Sequence, residues 1–93
     1  RLLQLDGMTA QAIEHYRLAL QGGTGDPTAA FNLGTALEEQ GDWTQALAAY
    51  RHAIQIDPNF GDAHFNLARL YEQLGRRPAA LRHLRTYRLL NQS

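Results

Sequence analysis

The sequence has no cysteine and no lysine, and its single serine is the last residue, Ser93. Each absence excludes some chemistry. Without Cys there is no disulfide, no thiolate nucleophile and no Cys-based zinc site. Without an internal Ser, a Ser–His pair held on rigid elements is unavailable. No apolar run approaches the roughly 20 residues needed to cross a bilayer, and the opening RLLQLDGMT is too short and too polar for a signal peptide. These features are those of a cytoplasmic protein, and a processed periplasmic one would read the same way. Neither GxGxxG nor GxxxxGK[ST] occurs, and GGTGDP lacks the Lys and following Ser/Thr that hold nucleotide phosphates. His15, His52, His64 and His83 show no i,i+4 pairing and no HExxH, so each reads as a surface or partly packed side chain rather than a zinc ligand. Glu38-Glu39 is a carboxylate pair, but adjacent residues on a helix point apart, which leaves a solvated face. No catalytic residue, metal or cofactor is expected, and the protein does not read as an enzyme.

What is present suffices for a fold. Of 93 residues, 44% are apolar, which places the chain with globular rather than disordered sequences, and the length suits one domain with a modest core. The net charge is zero but unevenly spread. Residues 1–75 hold four Arg and all nine acids, a net of −5, and residues 76–93 hold five Arg and no acid, a net of +5. An all-Arg, Ala- and Leu-rich usage suggests a high-GC bacterial genome.

Sliding the chain by 34 residues aligns it with itself. Gly7, Gly41 and Gly75 coincide, as do Ala12, Ala46 and Ala80. Tyr16, Tyr50 and Leu84 align, then Ala19, Ala53 and Tyr87. Before each Gly, Asn32 matches Asn66, Leu33 matches Leu67, and Leu37 matches Tyr71. A gapless period of this length is the signature of a repeat architecture.

Each unit reads as two helices. Ala30, Leu33, Gly34 and Leu37 recur at spacings of three and four, which predicts a helix over 28–40. Gly41 stops it, and Asp42 is placed to cap a second helix over 43–56, whose one face carries Ala46, Leu47, Tyr50, Ala53 and Ile54. Asp57-Pro58-Asn59 ends that helix, with Asn59 a candidate cap for the next. Helices over 62–74 and 77–91 repeat the pair, Pro78 being tolerated in a first turn. Residues 8–21 form the second helix of an earlier unit whose first helix survives only as the stub RLLQL, as in a fragment of something longer or a chain with a disordered start. The chain is thus one domain: a partial repeat 1–26, a full repeat 27–60 and a terminal repeat 61–93. Leu33, Leu37, Leu47, Tyr50, Ile54, Leu67, Leu70, Tyr71, Leu81 and Leu84 are the expected core.

The unit Leu33-Gly34, Leu37, Gly41, Ala46, Tyr50, Ala53, Pro58 resembles the tetratricopeptide repeat, and Ala30 and Trp43 also suit it. The last unit departs from the pattern at Ala68, Leu84 and Tyr87. The resemblance spans the whole chain. It implies an all-α, right-handed solenoid of antiparallel helix pairs, about two and a half repeats long, and a non-catalytic scaffold that binds protein or peptide segments.

With Leu33 and Leu37 facing the core, Phe31, Asn32, Thr35 and Glu38 project to the other side of the first helix, and Phe65, Asn66, Arg69 and Glu72 do so in the next unit. The resemblance implies that this side lines a concave groove, in which similar domains use Asn to grip a ligand's backbone amides. Asn offers both a donor and an acceptor for that task. The alternatives are a solvated face or a hydrogen bond to the neighbouring helix, and for Phe31 and Phe65 a place in the core. A clamp for a terminal carboxylate is disfavoured: its flanking positions are Thr28 and Asp62, and Asp62 repels an anion. An internal peptide read through its backbone fits better.

Arg82, Arg85 and Arg88 recur every three residues after Arg76 and Arg77. They form either a solvated outer face that complements the helix C-terminal dipole or a contact for an acidic partner. Aromatics for base stacking are lacking except Tyr87, so direct nucleic-acid binding is not expected, nor is membrane binding. The stretch AHFNLARLYEQLGRRPAALRHLRTYRLL is also similar to the closing repeats of bacterial regulators that join a MerR-type helix-turn-helix to tetratricopeptide repeats. In that case DNA binding would lie in a preceding part. Finally, Leu81, Leu84, Leu89 and Leu90 at one end, and Ile13, Tyr16 and Leu20 at the other, are expected to be partly uncovered. That leaves a self-associating unit, a homodimer through terminal helices, as the alternative to a peptide binder.

Overall fold

The computed structural model describes residues 7–21 and 25–92, and within the first helix the side chains of residues 10–18. The stub RLLQL and the side chain of Leu20 lie outside the described residues. Five helices follow one another: α1 Gly7–Gln21, α2 Pro27–Glu39, α3 Trp43–Ile56, α4 Gly61–Gln73 and α5 Arg77–Leu90. No strand occurs among the described residues.

Local chemistry explains the boundaries. The Asp26 carboxylate accepts from the Thr28 N–H at 3.0 Å and Pro27 opens α2, where a missing N–H costs nothing. Asp42 accepts from the Gln45 N–H at 3.2 Å and caps α3. The two intra-repeat turns are alike. Gly41 and Gly75 have φ of 80° and 79°, the left-handed region that only Gly enters cheaply. The N–H of Asp42 then reaches the Leu37 carbonyl (3.0 Å) while that of Gly41 reaches Glu38 (2.9 Å). At the second turn Arg76 reaches Tyr71 (2.8 Å) and Gly75 reaches Glu72 (3.1 Å). Each turn is a Schellman motif, which reverses the chain and sets up an antiparallel helix pair.

Asn59 does not cap α4. Its own N–H donates to the Asp57 carboxylate at 3.1 Å, and Phe60 occupies the capping position with no side-chain bond. Asp57 has drawn the backbone into a local turn two residues long, which takes Asn59 out of position.

The helices stack in chain order, α1 on α2, α2 on α3, α3 on α4 and α4 on α5. The main core joins Leu33, Leu37, Leu47, Tyr50, Leu67, Leu70 and Tyr71. Within α2–α3 the pair Gly34 and Tyr50 sets the spacing. A Cβ at Gly34 would lie 2.6 Å from two ring carbons of Tyr50, well inside contact distance, so α2 can approach the fully buried ring only without a side chain there.

Four expectations about burial need correction. Ile13 is buried, 7% exposed, because α1 turns that face onto α2 and joins the main core. Leu81 is 55% exposed, and Leu84 and Ile54 are half-buried. Leu81 lies on a helix that has α4 on one side and no described helix beyond it, so periodicity alone cannot bury it.

Candidate functional site

The side of α2 and α4 opposite the core carries most of the predicted groove residues, and the structure divides them into three groups. The first converges on one hydroxyl. Tyr50 projects from α3 between the two helices, and its O–H donates to Glu38 Oε1 at 2.5 Å. A carboxylate cannot return the bond, so the phenol oxygen is left to accept. Asn66 Nδ2 donates to it from α4 at 3.4 Å, and Thr35 Oγ1 lies 3.4 Å away on α2. The same Glu38 oxygen accepts from Arg69 Nη2 at 2.6 Å. Thr35, Glu38, Asn66 and Arg69 thus form one polar network across the α2–α4 seam, built around a side chain that sequence reasoning assigned only to the core.

The electrostatics follow from this arrangement. Tyr50 is pushed up to about 12, first by burial and then by its hydrogen bond to Glu38. Arg69 is raised, chiefly by the same carboxylate. Glu38 is therefore half-buried and doubly bonded rather than the solvated residue its neighbour Glu39 remains. Because Arg69 is half in solvent, its ion pair is a positioning contact more than a source of stability.

The second group is aromatic, and its two members part ways. Phe31 turns inward, 5.6 Å from the Tyr50 ring and 5.3 Å from Phe60, and packs against the core. Phe65, one repeat later, is 43% exposed and rests against Tyr87 at 5.0 Å. The repeat partner of Tyr87 is Ala53, so Phe65 meets a bulky ring where Phe31 packs on a cluster of small residues. The third group lies at the two ends of the row. Asn32 is half-buried on α2. Glu72 is exposed and pairs with Arg77 at 3.4 Å.

Beyond the network, Phe65, Ala68, Arg69 and Glu72 of α4 face Ala80, Leu81 and Leu84 of α5 across a cavity of about 300 Å³. Its walls are apolar and its charged residues are one Arg and one Glu. The α5 wall was not anticipated as part of a site. The i,i+3 spacing of Leu81 and Leu84 was the available signal, and it read equally well as core.

The structure also joins two histidines that the sequence keeps 19 residues apart. His64 Nδ1 lies 3.1 Å from His83 Nδ1. Among the described residues no group of three or more His, Cys, Asp or Glu is placed to hold a metal, and no helix is long and apolar enough to cross a membrane.

Family comparison agrees with this geometry. A model described as "TPR repeat" matches residues 34–75, and one described as "Tetratricopeptide repeat" matches residues 63–89. No curated protein sequence matches the chain. Among solved structures, a crystal structure of MamA superposes with a TM-score of 0.88 at 24% identity, covering 92% of this chain and 50% of that one. MamA of AMB-1 gives a TM-score of 0.82 at 27% identity, over 90% of this chain and 49% of that one. MamA of MSR-1 gives 0.83 at 26%, over 91% and 49%. The chain spans about half the length of these structures.

Proposed function

Since the chain belongs to the tetratricopeptide-repeat family, whose general role is that of a protein-interaction scaffold, we propose that the α2–α4 face grips an extended peptide. The observation that carries this reading is the apolar cavity between Phe65 and Leu81, set directly beside the Glu38–Arg69–Asn66 network. An apolar side chain of the peptide enters the cavity. Its backbone runs along α2 and α4, where Asn66 spends Nδ2 on Tyr50 and keeps Oδ1 to accept a peptide N–H, and Asn32 offers both amide functions. Arg69, already held by Glu38, is presented in a fixed geometry, which lowers the ordering cost of binding.

Selection of a random peptide library on the wild-type protein, followed by affinity measurement on the selected sequences, tests this. The peptides should share one apolar position. Phe65→Ala and the double replacement Asn32→Ala/Asn66→Ala should each weaken binding while helicity stays nearly constant. Selected peptides that bind both variants as tightly as wild type would defeat the reading.

A second reading rests on a different observation. Leu81 and Leu89 are 55% and 62% exposed on α5, and apolar area of this kind is often covered by a partner. A second copy stacking on that helix through a two-fold contact would close the assembly.

A further inference from the structure

Sharing no residue with the Tyr50 network, Arg51 and Gln55 lie one turn apart on α3, and Arg82 and His83 lie in the second turn of α5. With Ile54 and Tyr71 they line a cavity of about 380 Å³. No carboxylate lines it. Among the described residues the ion pairs are Arg69–Glu38 and Arg77–Glu72, so Arg51 and Arg82 bring two uncompensated guanidinium groups to one opening. Arg is the side chain best matched to tetrahedral oxyanions.

The proton positions on His83 follow from its neighbours. His64 is buried, and its Nε2 lies 2.8 Å from the Pro58 carbonyl oxygen, which only accepts. That nitrogen therefore carries the hydrogen, and neutral His64 has a bare Nδ1. His83 Nδ1, 3.1 Å away, must donate to it. Neutral His83 is then the Nδ1–H tautomer with its lone pair on Nε2, and the ring is fixed by stacking on Tyr71 at 5.8 Å and 13°. The titratable or charged groups around this ring are Arg51 from α3, His64 and Tyr71 from α4, and Arg82 beside it. Burial first, then His64, Arg82 and Arg51, hold its pKa down to about 4.

We propose that this cavity is a phosphate site, specific for a phosphate group that retains one O–H. Arg51 and Arg82 hold the anionic oxygens, and the bare Nε2 of His83 accepts the P–O–H hydrogen. A carboxylate or sulfate without a hydrogen sets its own lone pairs against that of Nε2 and binds less well. Burial and the two guanidinium groups keep the His83 ring itself neutral, so the ligand rather than that ring supplies the hydrogen.

Titration with inorganic phosphate and with sulfate at pH 7.5, where phosphate is mainly the dianion that keeps one O–H, and at constant ionic strength, read by the imidazole ¹⁵N resonances of His83, tests the assignment. Phosphate should saturate, move the Nε2 resonance and bind at least about tenfold tighter than sulfate, the worth of one charge-assisted hydrogen bond. Arg51→Gln and Arg82→Gln, both at exposed positions, should each weaken phosphate about tenfold. His83→Phe keeps a ring against Tyr71 and should reduce phosphate to the level of sulfate. Should that variant fail to fold, the wild-type comparison and the two Arg variants still decide. A phosphoserine peptide at the same pH, whose phosphate has mostly lost its hydrogen, should bind no better than sulfate; tighter binding than free phosphate would overturn the O–H requirement and assign the site to a phosphorylated partner. Equal affinity for phosphate and sulfate, or phosphate binding indifferent to both Arg replacements, would overturn the proposal.

Discussion

Residues 27–60 and 61–92 carry the same 34-residue pattern and make the same turn, yet they differ sharply in what they bury. Leu47 on α3 is 8% exposed and its repeat partner Leu81 on α5 is 55% exposed. Tyr50 is fully buried, while its partner Leu84 is only half so. α3 lies between α2 and α4, whereas α5 packs chiefly on α4. The difference shows that in a stack of repeats burial belongs to the interface and not to the repeat. The close-packing pair differs in step with this. Gly34 meets an aromatic ring, and Ala68 stands where the opposite residue is the smaller Leu84.

The sharpest way to break this comparison is to make the same change in both units. Leu47→Ala should cost about 2–5 kcal/mol, the range for emptying a buried leucine site. Leu81→Ala should cost no more than about 0.5 kcal/mol, as surface changes do. Urea unfolding followed by circular dichroism measures both. Equal costs would mean that α5 is covered by something, a second copy included.

Next in size is the helix-crossing pair. Gly34→Ala places a methyl inside the van der Waals radius of a buried ring that has no room to retreat, an overpacking cost of about 1–3 kcal/mol. Ala68→Gly in the other unit should cost about 0.5–1 kcal/mol through helix propensity alone. Thermal melts of the two variants should separate clearly, and a melt of Gly34→Ala at or above wild type would contradict the spacing described for α2 and α3.

Tyr50→Phe sharpens the comparison at a finer level, because Leu84 has no hydroxyl to lose. The change should cost about 0.5–1.5 kcal/mol, one buried hydrogen bond. Its pH signature is specific. The folded-state value of about 12 lies above the ordinary 10, so the phenol's contribution is complete below pH 10 and is lost as pH rises through about 12. Wild type should lose more stability than Tyr50→Phe across that alkaline window, and parallel curves would show that the hydroxyl is not held as described. The smallest effect on stability, and a direct probe of the exposed α5 face, is Leu81→Glu/Leu89→Glu. Sedimentation equilibrium should show wild type associating at high micromolar concentration and the variant monomeric. A monomeric wild type would remove the self-association reading.

Much of the fold was legible in the sequence, and part of the candidate site was. The helix ends fell within about a residue of expectation at Gly41 and Gly75 because those turns are decided by a glycine and the five or six residues around it. The row Thr35, Glu38, Asn66 and Arg69 was legible as one face, since helical periodicity fixes which residues share a side. Its organisation around Tyr50 was not, because a residue on a core face can still send its polar tip through to the other side. The split between Phe31 and Phe65 was equally hidden. The two residues occupy the same repeat position, and only their neighbours differ, Phe60 and Tyr50 for one and Tyr87 for the other.

The sequence by itself determined the repeat, its register, the helix pairs and the turns that join them. Capping, left-handed glycines and apolar periodicity act over a few residues and need nothing from the rest of the chain. Only the tertiary structure decided which apolar positions are covered, which hydroxyl gathers the polar network, and that His64 and His83 meet. Those outcomes depend on pairs 12 to 31 residues apart, brought together by the stacking of faces that no local pattern encodes.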